Sequence, residues 1–420
     1  MMEAKQGTLT MIILAFIPFV MVLGNSMLVP VLPTMKTNLD LTEFQVSLTI
    51  TIFSLSAGLV IPFIGYVSDH VRRKWVIVLA LVIYGAGGLI SGFAAWFMDN
   101  SYIWILIGRL IQGIGAAGTS PIAMALIGDL FSGAQESKAL GIIESSNGLG
   151  KILSPIIGSL IALITWFAVF FAFPALCFAN AIFVWFFVKE KAKAKGKPFP
   201  EYIKSLKQIF KQEGKWLIPA FFVGTVGLFI LFGVLFYLSD VLEASYNIDG
   251  VLKGCILAIP LLGMVITAYI TGAKIKMNKP LMRRIIIIGM LLLTGSMLAV
   301  SFFQQIYLMV GCLTLGSIGT GFLLPCLNTL ITGAVGKAER GMITSLYGSI
   351  RFLGVAFGPP LFSWLMKISH RVIFFSMTGL CLVTLLIAFF FIKPSKNKQG
   401  ETKQGKQAPT LFKKVGKLPT

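Results

Sequence analysis

Twelve apolar segments, each about as long as a membrane-spanning helix, run through this chain of 420 residues. The hydrocarbon core of a bilayer needs about 20 consecutive apolar residues per helix. With 56% hydrophobic residues, 12% charged residues and a mean hydropathy of +0.87, the composition excludes a soluble globular domain of this length. We therefore predict an all-α integral membrane protein. The predicted spans are residues 11–33, 45–67, 75–97, 102–127, 138–163, 166–188, 216–239, 250–273, 285–303, 306–333, 341–366 and 371–392.

The basic residues lie almost entirely on one side of these spans. An even number of spans places both termini on one face, and 29 of the 36 Lys and Arg residues fall there. The opposite face has only Lys36, Lys253, Lys367 and Arg371. Since basic loops stay on the cytoplasmic side, we predict a multi-pass protein of the cytoplasmic membrane with both termini in the cytoplasm. The net charge of +20 then reflects topology and contact with anionic lipids, and nucleic-acid binding is not expected.

A lysine-rich segment divides the chain near its middle. Residues 189–215 carry nine lysines, and their apolar residues recur at helical spacing, which predicts a basic amphipathic helix on the inner leaflet. The predicted organisation is a six-helix bundle over residues 1–188, this linker, a second six-helix bundle over 216–392 and a disordered basic cytoplasmic tail over 393–420. The linker either couples the two halves or is a tether with no part in transport.

The residue types that carry most enzyme chemistry form no cluster. All five cysteines lie inside apolar runs and are interpreted as packing residues. The two histidines, His70 and His370, lie at opposite ends of the membrane region. We therefore predict no enzyme activity, no cofactor and no metal site.

The fifth and eleventh spans repeat one pattern. Three glycines and one basic residue recur at a constant offset, as Gly141, Gly148, Lys151 and Gly158 and as Gly341, Gly348, Arg351 and Gly358. Related halves that face each other are common in secondary transporters. Glycines recur easily in membrane helices, so chance is the alternative, but a recurring intramembrane cation is harder to attribute to chance.

The loop between the second and third spans resembles the loop 2-3 signature of the major facilitator superfamily. Four residues match that signature: Gly65, Asp69, Arg73 and Lys74. His70 stands where the family usually has Arg, and Arg72 where it usually has Gly. The resemblance implies that Asp69 and Asp129, at the cytoplasmic ends of the second and fourth spans, pair with Arg73 to close a cytoplasmic gate.

Three further stretches are similar to motifs of the twelve-span drug:proton antiporter family. They read Leu23-Gly24-x5-Pro30-Val31-x-Pro33, Arg109-x2-Gln112-Gly113-x-Gly115-Ala116-Ala117 and Gly141-x8-Gly150-x3-Ser154-Pro155-x2-Gly158-Ser159. The resemblance implies two pseudo-symmetric six-helix bundles, the major facilitator fold, working by alternating access. It also implies a role in proton coupling for Arg109. The helix-packing motif typical of exporters would consist of Gly141, Gly150, Pro155 and Gly158.

Charged residues inside spans are costly and mark functional sites by default. Here they are Arg109, Glu144, Lys151 and Arg351. Glu144 is the only carboxylate well inside a predicted span, so we predict that it forms the proton pathway together with Arg109. Lys151, Arg351 and Asn25 are the predicted substrate-cavity residues. The alternative is a structural network, with Lys151 bonded to helix carbonyls and Glu144 to Asn147 or to a loop base.

These patterns predict a secondary active transporter, a proton-coupled exporter of a small amphipathic molecule. A cavity with two basic side chains and one acid would be cationic, which favours cargo of acidic, phenolic or phosphate character. The alternatives are a dedicated exporter of an acidic metabolite such as a siderophore, a lipid-linked sugar flippase and, outside transport, a membrane receptor or scaffold. The expected partners are the small-molecule substrate, protons and anionic lipids, and we expect a monomer.

Overall fold

The computed structural model describes most of the chain. It covers residues 2–131, 134–190, 198–275, 278–334 and 340–393, without the side chains of residues 2–6, 134–138, 140, 141, 144 and 340. Much of the predicted lysine-rich linker, residues 191–197, and nearly all of the predicted tail, from residue 394 onward, lie outside the described residues.

The described chain is all-helical, which confirms the predicted fold class. Its α-helices are α1 (Met2–Ser26), α2 (Leu32–Asn38), α3 (Glu43–His70), α4 (Arg73–Phe97), α5 (Tyr102–Ala117), α6 (Ser120–Leu130), α7 (Ala134–Ala162), α8 (Val169–Phe187), α9 (Phe199–Tyr246), α10 (Gly250–Lys274), α11 (Lys279–Val300), α12 (Ile306–Thr332), α13 (Arg340–Met366) and α14 (His370–Phe391). Ten segments in the described residues are long and apolar enough to span a membrane. The fifth and eleventh predicted spans correspond to α7 and α13, which measure 29 and 27 residues and carry Lys151 and Arg351.

Two predicted spans are interrupted helices. The first consists of α1, a short 3₁₀ turn at Val29–Val31 and α2. The fourth consists of α5 and α6, which are separated at Gly118 and Thr119. Pro121 stands in the first turn of α6, where its missing N–H has no intrahelical partner to lose. Pro30, Pro33 and Pro121 therefore stand at the starts of new helical segments, whereas Pro18 lies inside α1.

The predicted linker helix and the seventh span form one helix, α9, of 48 residues. At 1.5 Å per residue it is about 72 Å long, more than twice the hydrocarbon thickness, so its N-terminal part extends beyond the membrane core. The rings of Phe210 and Phe221 lie 6.2 Å apart, although eleven residues of straight helix would separate their Cα atoms by about 16 Å. The helix therefore bends between them, close to Pro219.

The first turn of α9 contacts the first half of the chain. The ring of Tyr66, near the end of α3, lies 5.3 Å from that of Phe199 and 5.5 Å from that of Tyr202. Edge-to-face packing of this kind adds to the burial of the rings. The amphipathic segment thus links α9 to the end of α3 that carries Asp69.

The same packing occurs in both halves, as the repeat predicts. Helix α7 packs against α1 and α13 against α9, while α4 pairs with α5 and α11 with α12. A Cβ on Gly158 would lie 2.3 Å from the carbonyl oxygen of Met27, and one on Gly358 would lie 2.5 Å from that of Phe229. Such distances are possible only without a side chain, so equivalent glycines bring equivalent helices together.

The halves meet through α3 against α13 and α7 against α10. Because α3 runs from Glu43 to His70, its ends define two faces of the molecule. We call them the Lys36 face, next to Glu43, and the Asp69 face. The halves touch at both: Ser239 Oγ donates to Val29 O, 2.8 Å away, near the Lys36 face, and Gly65 packs on α13 near the Asp69 face.

Candidate transport site

Arg73 connects three helices at the Asp69 face. Its Nη2 lies 3.1 Å from Asp69 Oδ1 on α3, and its Nη1 lies 2.8 Å from Asp129 Oδ2 on α6. Nη1 also donates to the carbonyl oxygen of Ala125. Only 11% of the Arg73 side chain is exposed, so these contacts are partly shielded from water. The structure thus brings together three of the residues predicted for the gate.

The sequence prediction missed Glu190, which holds the start of α4. Its carboxylate accepts from the backbone N–H of Arg73 at 3.0 Å and of Lys74 at 2.9 Å. The first N–H groups of a helix have no intrahelical partners, and a carboxylate there also meets the positive end of the helix dipole. The Lys74 ammonium lies 5.6 Å from the ring centroid of Trp185. In the sequence, the position of Glu190 as an acidic residue within a lysine-rich segment is the feature that could have pointed to it.

Gly65, another residue predicted for the gate, lies at the contact between the halves. A Cβ at this position would be 2.9 Å from Ser345 Oγ on α13. Further along the same contact, Ser349 Oγ donates to the carbonyl oxygen of Gly58. The small residues of α3 therefore allow close approach of α13, and the pathway is closed at this face.

Arg109 is fully buried in the first half and bonded to oxygens on three helices. Nε donates to Thr49 O at 2.9 Å, and Nη1 donates to Gly24 O at 3.0 Å and to Gln112 Oε1 at 2.8 Å. Nη2 donates to Asn25 Oδ1 at 2.9 Å. All four acceptors are neutral. The Gly24 carbonyl lies in the last turn of α1, where carbonyl groups have no intrahelical donor, so Arg109 also satisfies the end of this helix.

The proton pathway predicted to include Arg109 and Glu144 stays a prediction, because the Glu144 side chain lies outside the described residues. Asn25, a predicted cavity residue, is 6% exposed and belongs to the Arg109 cluster. An opening of this cluster would be required before Asn25 could touch a substrate.

Arg351 lies in a polar group of the second half. Its Nη1 donates to Asn328 Oδ1 at 3.2 Å, and its Cζ lies 5.3 Å from the ring centroid of Tyr347. Arg351 Nε and the Tyr347 hydroxyl are buried and have no hydrogen-bond partner among the described residues. A Cβ on Gly348, one turn before Arg351, would meet open space. Its repeat counterpart Lys151 is partly buried on α7.

The predicted helix-packing motif joins α7 to its neighbours. Gly158 lies against Met27, as described above, and a Cβ on Gly150 would lie 3.3 Å from a carbonyl oxygen of α1. The carbonyl oxygen of Pro155 lies against α10 of the other half. The side-chain position of Gly141 lies outside the described residues.

Two small cavities occur in the described structure, each of about 10 Å³. One lies at the Lys36 face and is lined in part by Lys36, Glu43 and Asp240. The other lies within the second half, between α9, α11 and α12. A drug-sized ligand needs a pocket of about 300 Å³ or more. Neither of these two cavities has room for such a ligand.

Comparison with known proteins identifies the family. The model of the "Major Facilitator Superfamily" matches residues 14–282 and again 281–419. The chain belongs to the major facilitator superfamily. This confirms the resemblance found in the loop and helix motifs. As a member of the superfamily, the chain is a secondary transporter of the membrane and not an enzyme.

Two relatives match over most of their lengths. The "Bacillibactin exporter" of Bacillus subtilis (strain 168) is 45% identical over 391 residues, which cover 92% of this chain and 97% of the relative. The "Multidrug efflux protein YfmO" of the same organism is 27% identical over 350 residues, covering 82% and 83%.

A solved structure shares the fold. The crystal structure of the human organic anion transporter MFSD10 (TETRAN) superposes with a TM-score of 0.70 at 18% identity. The match covers 91% of this chain and 99% of that chain. The two proteins therefore share a fold.

Proposed function

We propose that this transporter exports a siderophore-type small molecule, with bacillibactin as the first cargo to test. The observation that carries the proposal is the 45% identity to the bacillibactin exporter, which extends over 97% of that relative. A match of this degree from end to end supports a shared cargo more strongly than the 27% identity to the multidrug relative does.

The proposed orientation places the Asp69 face in the cytoplasm and the Lys36 face outside the cell. Its support is the distribution of basic residues, 29 of 36 of which fall on the side of the chain termini. In this orientation the Arg73 network closes the side from which cargo enters.

An acidic or phenolic cargo fits the charges of the spans. Arg109, Lys151 and Arg351 are cations at membrane depth, and a charge in a low-dielectric site favours an opposite charge. Arg351 is the strongest candidate contact, because its Nε and the hydroxyl of Tyr347 beside it have no hydrogen-bond partner in the part of the chain that the structure describes. Guanidinium N–H donors form strong charge-assisted hydrogen bonds with carboxylate or phenolate oxygens.

Protons that enter the cell drive the proposed export. Glu144 is the titrating group of this scheme, since a carboxyl group in a partly desolvated path can lose and regain a proton. Arg109 is the second residue of this scheme, because its hydrogen-bond partners among the described residues are neutral and leave it with a net positive charge.

Restoration of export in cells tests the proposed cargo. The gene is expressed in a strain that makes bacillibactin but lacks its own exporter, and bacillibactin is measured in the medium and in the cells. The proposal predicts that the medium level recovers and the intracellular level falls. No recovery, together with efficient export of a cationic dye by the same cells, would show a multidrug transporter instead.

A further inference from the structure

Five charged side chains cluster between the two halves at the Lys36 face. They are Lys36 of α2, Glu43 of α3, Asp240 and Glu243 of α9, and Lys253 of α10. None belongs to the gate motif, to the Arg109 cluster or to the polar group around Arg351. Partly burying charges between the two halves costs desolvation free energy, so the cluster requires a physical explanation.

The contacts within this cluster divide into two kinds. Lys36 Nζ lies 3.0 Å from Glu43 Oε1, within the first half. Lys253 is 2% exposed and pairs with Glu243, within the second half. Only the contact of Lys36 Nζ with Asp240 Oδ1, at 3.8 Å, crosses from one half to the other.

The charges in the cluster do not balance. Three carboxylates face two ammonium groups, so one carboxylate is in excess when all are ionised. Asp240 is the least exposed of the three acids, at 17% against 25% for Glu43 and for Glu243. A proton on Asp240 would leave each lysine with one carboxylate in its own half. The ionic connection between the halves would then be lost without leaving any charge unpaired.

The surroundings of Asp240 favour a link between its protonation and the opening of this face. The small cavity at the Lys36 face is lined in part by Lys36, Glu43 and Asp240. It has room for about one water molecule, which would lie next to the carboxyl group that takes up the proton. Ser239, the residue before Asp240, donates to Val29 O across the same junction. Opening of the ion pair would therefore loosen a contact that seals this face.

The other titratable groups nearby are held by different partners or lie in loops. The Tyr237 hydroxyl is 2.6 Å from His370 Nδ1, His370 Nε2 donates to Val300 O at 2.8 Å, and Tyr246 donates to Gln304 O at 2.8 Å. Asp40 lies in the loop before α3, and Asp249 immediately precedes α10. The charged groups that act on Asp240 are Lys36, Glu43, Glu243 and Lys253.

We propose that Lys36 and Asp240 form a latch that closes the Lys36 face, and that a proton taken up by Asp240 from outside the cell releases it. The proton comes from external water and returns there when Lys36 pairs with Asp240 again, so it is distinct from the proton carried through the protein. The latch rests on the orientation given under the proposed function but not on the identity of the cargo.

Thiol labelling from outside intact cells tests the latch. Val46 is 2% exposed and lines the cavity at the latch, so Val46→Cys should react with a membrane-impermeant thiol reagent only when this face opens. The five native cysteines are replaced by serine, and retained export is checked. Because thiol reactivity itself depends on pH, each rate is divided by that of Asn100→Cys, in the exposed loop between α4 and α5 on the same face.

The corrected labelling rate should rise about fivefold as the external pH falls from about 8 to about 5.5, the effect of losing one partly buried ion pair. Asp240→Asn should react at the high rate at every pH. Glu43→Gln is the matched control, because it removes an acid from the same lysine but leaves the contact across the halves. It should stay slow at high pH, and its pH response should move to lower pH, because the cluster then has two carboxylates for two ammonium groups.

Two outcomes would overturn the latch. In the first, Asp240→Asn has the same corrected labelling rates as the protein that keeps Asp240. In the second, Glu43→Gln raises the labelling rate at high pH as much as Asp240→Asn does. If Asp240→Asn fails to reach the membrane, Lys36→Gln makes the same comparison, since it removes the shared cation. The readout does not require bacillibactin, so a failure of the latch and a failure of the proposed cargo are distinguishable.

Discussion

At the scale of single residues, Arg109 shows how a membrane helix can hold a cation among neutral acceptors, which are its hydrogen-bond partners in the described part of the chain. Its planar guanidinium reaches four neutral oxygens that belong to α1, α3 and α5. Each acceptor is a dipole whose negative end faces the cation, and the cluster ties these three helices together.

We expect Arg109→Lys to fold poorly, although it keeps the charge. A lysine ammonium has three donors on one atom and cannot reproduce the spread of bonds made by the guanidinium. The free energy of unfolding should fall by about 3 kcal/mol, since several buried acceptors lose their donors. Thermal unfolding in detergent measures the change, and Arg72→Lys, at an exposed position before α4, is the control. Equal unfolding temperatures for the two variants would contradict the structural role of Arg109.

Arg351 should contribute to cargo binding more than to folding. Within the described residues its guanidinium donates a hydrogen bond to Asn328, while its Nε has no partner. We expect Arg351→Ala to reduce bacillibactin export about tenfold or more, and Arg351→Lys to reduce it less, because a lysine keeps the charge but not the planar donors. Export rates at matched expression are the measurement. Arg284→Ala removes an exposed cation from α11 as a control, and an equal effect of both alanine variants would refute a specific role.

At the scale of helices, the apolar runs predicted the elements well and their ends less well. The predicted span 250–273 corresponds to α10, Gly250–Lys274. The predicted boundary at residue 215 does not interrupt α9, because a change of hydropathy does not by itself end a helix, and α9 continues even past Gly214 and Pro219. The break at Gly118 has a local cause that could be seen, since Pro121 follows it in a predicted span.

Contacts between distant residues could not be predicted in the same way. Asp69 and Arg73 are four residues apart, so their pairing follows from helix geometry. Glu190 reaches the start of α4 from 117 positions away, and Asp240 reaches Lys36 from the other half of the chain. Such pairs depend on the tertiary packing, which no local pattern encodes.

The glycines of α7 and α13 provide a prediction about helix packing. A Cβ on Gly158 would lie 2.3 Å from the backbone oxygen of Met27, just after the end of α1, and backbone cannot move aside as a side chain can. We expect Gly158→Ala to lower the free energy of unfolding by about 1–3 kcal/mol. Gly379→Ala in α14 is the matched control, because its Cβ would meet no atom within 4 Å. Thermal unfolding in detergent should separate them, and equal loss in both would contradict the close approach of α7 and α1.

Removal of the Glu190 charge should loosen the start of α4 and the gate with it. The carboxylate binds two N–H groups at the positive end of the helix dipole. We expect Glu190→Gln to cost about 1 kcal/mol of stability, as other losses of helix capping do. Glu201→Gln, in the exposed first turn of α9, is the control in thermal unfolding measurements. An unchanged unfolding temperature for Glu190→Gln would show that the cap adds nothing.

At the scale of the whole molecule, the halves contact each other at both faces through different chemistry. Near the Asp69 face, small residues of α3 pack on α13. At the Lys36 face, one ion pair and one hydrogen bond cross between the halves. Alternating access requires that these two sets of contacts break in turn, and the ionic set is the one that a change of external pH can reach.

Uptake of labelled bacillibactin into inverted membrane vesicles tests the central claim, proton-driven export of an acidic cargo, most directly. The account predicts accumulation in the vesicle lumen when the lumen is more acidic than the medium, and loss of accumulation when a protonophore collapses the gradient. Glu144→Gln should bind bacillibactin but not concentrate it, because amide cannot exchange a proton. Accumulation that is equal with and without the gradient, or that persists in Glu144→Gln, would contradict the account.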